Sequence, residues 1–130
     1  TKRLSIKTAI STGLDISNIE KVILDTSGCT HALLKDIKIL DIDSSGQSYI
    51  DIQNTEDLKI DASGQSEIEV KSNNLTEVKI DVSGMGSIQI DSKTIENLEA
   101  DLSGMSQLNV FGKVLRKYID TSGMSRYTIR

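Results

Sequence analysis

The tetrapeptide Asp-x-Ser-Gly occurs six times in this chain, and its spacing constrains the fold more than any other feature. The copies are Asp25-Thr26-Ser27-Gly28, Asp43-Ser44-Ser45-Gly46, Asp61-Ala62-Ser63-Gly64, Asp81-Val82-Ser83-Gly84, Asp101-Leu102-Ser103-Gly104 and Asp120-Thr121-Ser122-Gly123. Their glycines stand 18, 18, 20, 20 and 19 residues apart. A fixed period of this size marks an array of units, each too small to bury its own apolar face and so obliged to stack on its neighbours.

Apolar residues repeat in the same frame. One residue before the Asp come Leu24, Ile42, Ile60, Ile80, Ala100 and Ile119; three before it come Val22, Leu40, Leu58, Val78 and Leu98, with Lys117 breaking the row. Four after the Gly come Ala32, Ile50, Ile68, Ile88, Leu108 and Tyr127, and six after it Leu34, Ile52, Val70, Ile90, Val110 and Ile129. Each unit is therefore strand, tight turn, strand, with alternation of period two on both sides. A further row six before the Asp (Ile19, Ile37, Leu75, Ile95 and Val114, with Thr55 the exception) breaks the alternation and predicts a corner. The extra residues of the longer units, at Lys71-Ser72-Asn73-Asn74 and Asp91-Ser92-Lys93, are expected to form loops on one face.

The first 20 residues fit the same frame. Leu4 and Ile6 take the rows before the Asp, Leu14 and Ile16 those after the Gly, and Thr12 a small hydroxyl position; only the turn, Lys7-Thr8-Ala9-Ile10, departs from the motif. Residues 1–20 thus read as an atypical N-terminal coil and residues 21–130 as six repeats, all within one domain. The fold class is all-β: a right-handed parallel β-solenoid, or β-helix, of about seven coils of 18–20 residues. At ~4.8 Å per coil the stack is roughly 30 Å tall. A helix is excluded because no segment sustains spacings of three and four. An antiparallel sandwich suits the strand spacing, but not the shared register of every unit.

Composition narrows the function classes. A net charge of −4 over 130 residues opposes a nucleic-acid partner reached through a broad basic face. One cysteine and one histidine exclude a disulfide framework and a zinc finger. No apolar run is long enough for a membrane-spanning helix, and no signal peptide is present. No motif calls for a cofactor or a metal.

In each repeat, Gly28, Gly46, Gly64, Gly84, Gly104 and Gly123 are expected to supply positive φ or close approach at the turn. Ser27, Ser45, Ser63, Ser83, Ser103 and Ser122 are expected to bond local backbone. Asp25, Asp43, Asp61, Asp81, Asp101 and Asp120 are expected to accept from the N–H two residues on, as in an Asx-turn. The competing reading, a calcium ladder, lacks oxygens converging on one ion. Lys59 and Lys79 on the same face relieve the repulsion along the row.

The residue after each Gly forms another row: Cys29, Gln47, Gln65, Met85, Met105 and Met124. Strand parity points it outward. Gln47, Gln65, Met85, Met105 and Met124 are the candidate partner-binding ridge, methionine being flexible and polarizable. A Cys29–His31 catalytic pair is discounted on the expectation that the two face opposite ways. Tyr49, Asp51, Glu67, Glu69 and Gln89 share an outer face, yet a chain with no Trp, one Phe and three Tyr is poor in the platforms of a polysaccharide-cleaving groove. Charge is segregated: residues 1–7 carry +3, residues 111–130 carry +4 and the middle carries −11. Basic ends discourage edge-to-edge pairing or dock on an anionic surface.

The segment Ile80-Asp81-Val82-Ser83-Gly84-Met85-Gly86-Ser87-Ile88-Gln89-Ile90, with Asp101-Leu102-Ser103-Gly104-Met105-Ser106, resembles the GIN-domain family of auto-transporter adhesin heads, over about residues 20–130. In that family Ser-Gly-centred repeats mark the tight turn of a β-superhelix. The resemblance implies cell adhesion at a host-cell, matrix or glycan surface, a cell-envelope or extracellular location, no catalytic residues and a homo-oligomer, with a trimer as the family analogy. It departs in having Met and Gln where the family has small residues after the Gly, and it implies a longer domain than this chain. The expectation is a non-enzymatic surface module. The alternatives are a polymerising scaffold of the bactofilin kind and, further off, a carbohydrate-active β-helix enzyme.

Overall fold

The computed structural model describes residues 3–8 and 12–130. Its elements are β1 (Arg3–Thr8), β2 (Thr12–Thr26), β3 (Cys29–Ser44), β4 (Gln47–Ala62), β5 (Gln65–Val82), β6 (Met85–Leu102), β7 (Gln107–Thr121) and β8 (Arg126–Ile129). They form one sheet in chain order, each pairing in parallel with the next. That is a β-solenoid of about six turns: β2 to β7 are complete coils, and β1 and β8 are a half-coil at either end. The seven coils expected were counted about the turns, so that two of the halves fell in different units. No helix long and apolar enough to cross a membrane occurs among the described residues.

The N-terminal coil keeps the register expected of it. Leu4 pairs with Val22, Ile6 with Leu24, Leu14 with Ala32 and Ile16 with Leu34. Ala9 and Ile10, in the turn assigned to it, lie outside the described residues.

Inward positions follow one rule from coil to coil. In β4 they are Ser48, Ile50, Ile52, Thr55, Leu58, Ile60 and Ala62. The steps are two residues within each flat run and three on either side of Thr55, so the chain bends there. At the first bend the shorter coils place Asn18, Asp36 and Asn54 at φ of 59°, 54° and 59°. Asn and Asp tolerate the left-handed region better than other side chains do. They also stack, Asn54 Nδ2 donating to Asp36 Oδ1 at 2.9 Å.

The longer coils do not loop out as expected. β5 and β6 run unbroken for 18 residues each. The two added residues widen the corner and bring in a serine whose hydroxyl caps a neighbouring carbonyl. Ser72 Oγ donates to Thr55 O at 2.7 Å, and Ser92 Oγ to Thr94 O at 3.0 Å. A capped backbone group can stay in the wall of the coil, where an uncapped one would have to reach solvent.

Two further inward rows flank the turn, the first unread in the sequence and the second the small hydroxyl row to which Thr12 was assigned. One is the variable residue of the motif: Thr26, Ser44, Ala62, Val82 and Leu102 are all buried. The other, two after the Gly, holds Thr30, Ser48, Ser66, Gly86 and Ser106. These rows meet across the turn. Ser44 and Ser48 hydrogen-bond each other through their hydroxyls. Val82 faces Gly86, where an added Cβ would stand 2.5 Å from Val82 Cγ1.

Candidate functional site

The turns stack as closely as the strands do. Each motif glycine, Gly28, Gly46, Gly64, Gly84, Gly104 and Gly123, has positive φ, 81° at Gly64 and 84° at Gly84. A Cβ at Gly64 would lie 2.7 Å from the Gly46 carbonyl oxygen. The carbonyl of each glycine accepts from the residue after the next one: Gln65 N to Gly46 O and Met85 N to Gly64 O are both 2.8 Å. The sheet's hydrogen-bond ladder thus continues round the turn.

The same ladder corrects the role expected of the Asp row. The N–H two residues on from the Asp is already used. Ser45 N donates to Thr26 O at 2.9 Å, Ser63 N to Ser44 O at 2.8 Å and Ser83 N to Ala62 O at 2.9 Å. With that donor bonded to the coil below, no Asx-turn forms in these repeats. The serine hydroxyl follows its own N–H: Ser45 Oγ donates to Thr26 O and Ser103 Oγ to Val82 O, both at 3.4 Å.

The Asp side chains instead stand outside in a file, paired in register from Asp25 to Asp120. At Asp61 partial burial raises the carboxyl pKa, Asp43 and Asp81 raise it further, and Lys59 pulls it back. A straight file does not converge on an ion. Among the described residues no group of three or more His, Cys, Asp or Glu could hold a metal.

The row after the glycines is exposed, with Met85, Met105 and Met124 at 44%, 49% and 70%. Its early members are linked: Cys29 Sγ donates to Gln47 Oε1 at 3.5 Å, and Gln47 Nε2 to Gln65 Oε1 at 2.9 Å. Two residues further along each strand is a second outward row, His31, Tyr49, Glu67, Ser87 and Gln107. The inward residues Thr30, Ser48, Ser66 and Gly86 lie between them. The result is an open groove of about 710 Å³, walled by these two rows across β3 to β7. Met124 is exposed but outside the groove.

Cys29 and His31 were expected to face opposite ways, but they share one face. Residues two apart in a strand share a side, and both line this groove. They are engaged elsewhere, Cys29 with Gln47 and His31 in a T-shaped contact with Tyr49, ring centroids 4.9 Å apart. Of the outer-face residues, Tyr49 and Glu67 line the groove. Glu69 lies beyond it, 3.4 Å from Lys71. The second wall could have been found in the sequence: it is the row at Gly plus three, whose members are chemically unlike one another and so do not register as a repeat. Compared with protein-family models, with curated proteins and with solved structures, the chain finds no match.

Proposed function

We propose that this chain is a non-enzymatic binding module of the cell envelope, an adhesin head that presents its groove on a rigid β-solenoid. The observation that carries the reading is the groove itself. It lies on the side of the stack, spans several coils and is walled by outward rows whose backbones are pinned by the parallel ladder. A surface fixed in this way orders few groups on binding and loses little entropy when it meets a partner. Met85 and Met105 supply adaptable apolar contact at one end, and Gln47 and Gln65 supply amides at the other. The Ser-Gly turn, shared with the family the sequence resembles, supports the same reading.

The test uses beads carrying the chain, washed over epithelial cell layers, mucin and matrix protein. Retention on at least one surface is expected. The Met85→Ser/Met105→Ser variant should reduce it about tenfold, through loss of the groove's main exposed apolar contact. Undiminished retention by that variant would remove the groove from the account.

A further inference from the structure

We infer that the groove takes a neutral, linear oligosaccharide, held at a subsite formed where three successive coils differ from one another. The inference rests on the reading of the groove as the adhesive face and names the ligand class for it.

Three neighbouring positions carry the argument. Tyr49, Glu67 and Ser87 stand in register on adjacent strands, as do Gln47, Gln65 and Met85. On β4 Tyr49 is 38% exposed, and its ring makes a T-shaped contact with His31. It offers a flat apolar surface of the kind that the C–H face of a pyranose covers. On β5 Gln65 and Glu67 are both exposed, two residues apart. Gln65 Oε1 is occupied by Gln47, which leaves the Gln65 amide N–H groups as donors beside the Glu67 carboxylate acceptor. A donor and a charged acceptor side by side match adjacent hydroxyls, each of which both gives and receives a hydrogen bond. On β6 the second wall falls from Glu67 to the short Ser87, while Met85 stays exposed in the first.

Charge selects among linear polymers. Among the described residues, Glu67 is the groove's one acidic lining residue and no lysine or arginine lines it. Residues 8–110 around it carry −11. A polyuronate or a nucleic acid would meet repulsion with no cation to offset it. An extended peptide is less well served, because the strand backbones beneath the groove already pair with one another and leave no edge for it. A neutral glycan needs only side-chain donors, acceptors and an aromatic face, and these are present.

The experiment is titration of the chain with cellohexaose, chitohexaose and mannohexaose, followed by amide chemical shifts. Hexagalacturonate and an uncharged extended peptide are the comparisons. Binding by at least one neutral glycan is expected, with shifts centred on Tyr49, Gln65, Glu67 and Ser87. Tyr49→Ala and Glu67→Gln should each weaken it about tenfold or more, while Tyr118→Ser on another face leaves it unchanged. All three positions are exposed, so folding is checked by an unchanged circular-dichroism melt. Shifts from the peptide or hexagalacturonate alone would overturn the proposal, as would glycan binding indifferent to Tyr49→Ala. Beads that adhere through the groove while no neutral glycan binds would overturn the ligand class and leave the adhesive reading standing.

Discussion

At Gly64 two independent demands fall on one residue. Its φ of 81° disfavours any side chain, and a Cβ would stand 2.7 Å from the Gly46 carbonyl. Gly64→Ala is therefore expected to cost about 2–4 kcal/mol, more than the conformational strain alone. Gly13 is the internal contrast: nothing lies within 4 Å of its added Cβ. Gly13→Ala should be neutral or stabilise by about 0.4–1 kcal/mol, and urea titration of the two variants measures both. The need for glycine was legible from six copies of a motif. The fate of the aspartate was not, because the N–H it was assigned is claimed by a carbonyl 19 residues back, as in Ser45 N to Thr26 O. Asp61 carries a prediction of its own. Its folded pKa lies above its unfolded value, so the native state binds more protons in that interval and stability falls as pH rises through it. Asp61→Asn should raise Tm at pH 7. The gain should fade as pH drops below the unfolded carboxylate value and shrink with added salt.

A coil is specified from inside as well as outside. The rows of Leu, Ile and Val were legible because strand parity separates them from charged neighbours. The inner corner was not, since Thr26, Ser44, Ala62, Val82 and Leu102 share no chemistry that a pattern could capture. Their common property is burial, and at Val82 the residue four positions on, Gly86, leaves room for the bulk. The corner that the broken alternation predicted is present; what was not legible is that Asn18, Asp36 and Asn54 each turn it with one left-handed residue. The matching of Val82 with Gly86 can be measured. Gly86→Ser alone should destabilise by overpacking, about 1–3 kcal/mol. Val82→Ala with Gly86→Ser rebuilds the Ala62 and Ser66 pair of the coil before. The double variant should be more stable than the single one, with a coupling of about 0.5–3 kcal/mol in a double-mutant cycle.

For the molecule as a whole, the repeat period indicated the stack and its register, while the groove emerged only once two outward rows were set side by side. The polymerising alternative depends on the ends. β8 covers β7 only over Gln107–Val110, and beyond it Leu115 and Tyr118 are 55% and 68% exposed. Against pairing there, both ends are basic, and Lys117 sits in the register position where Leu98 is buried in the coil below. A charge at an inward position of an edge strand opposes a further strand. Sedimentation velocity over about a hundredfold concentration range, with and without calcium, should give one species of fixed size rather than a growing series. Lys117→Leu should move it toward larger species.

The inner corner at the turn has a consequence for folding. A chain built of similar coils risks closing one coil too early, pairing a strand with its second neighbour and leaving a loop the length of a whole repeat. Hydrophobic rows that recur in every coil cannot penalise that error. The corner can, because it changes from hydroxyl at Thr26 and Ser44, through Ala62, to bulk at Val82 and Leu102. A strand that skipped a neighbour would bring Ser44 next to Val82 in place of Ala62 and interrupt the graded column. The interior therefore encodes the order of the coils, and the exterior is left free to vary along the groove.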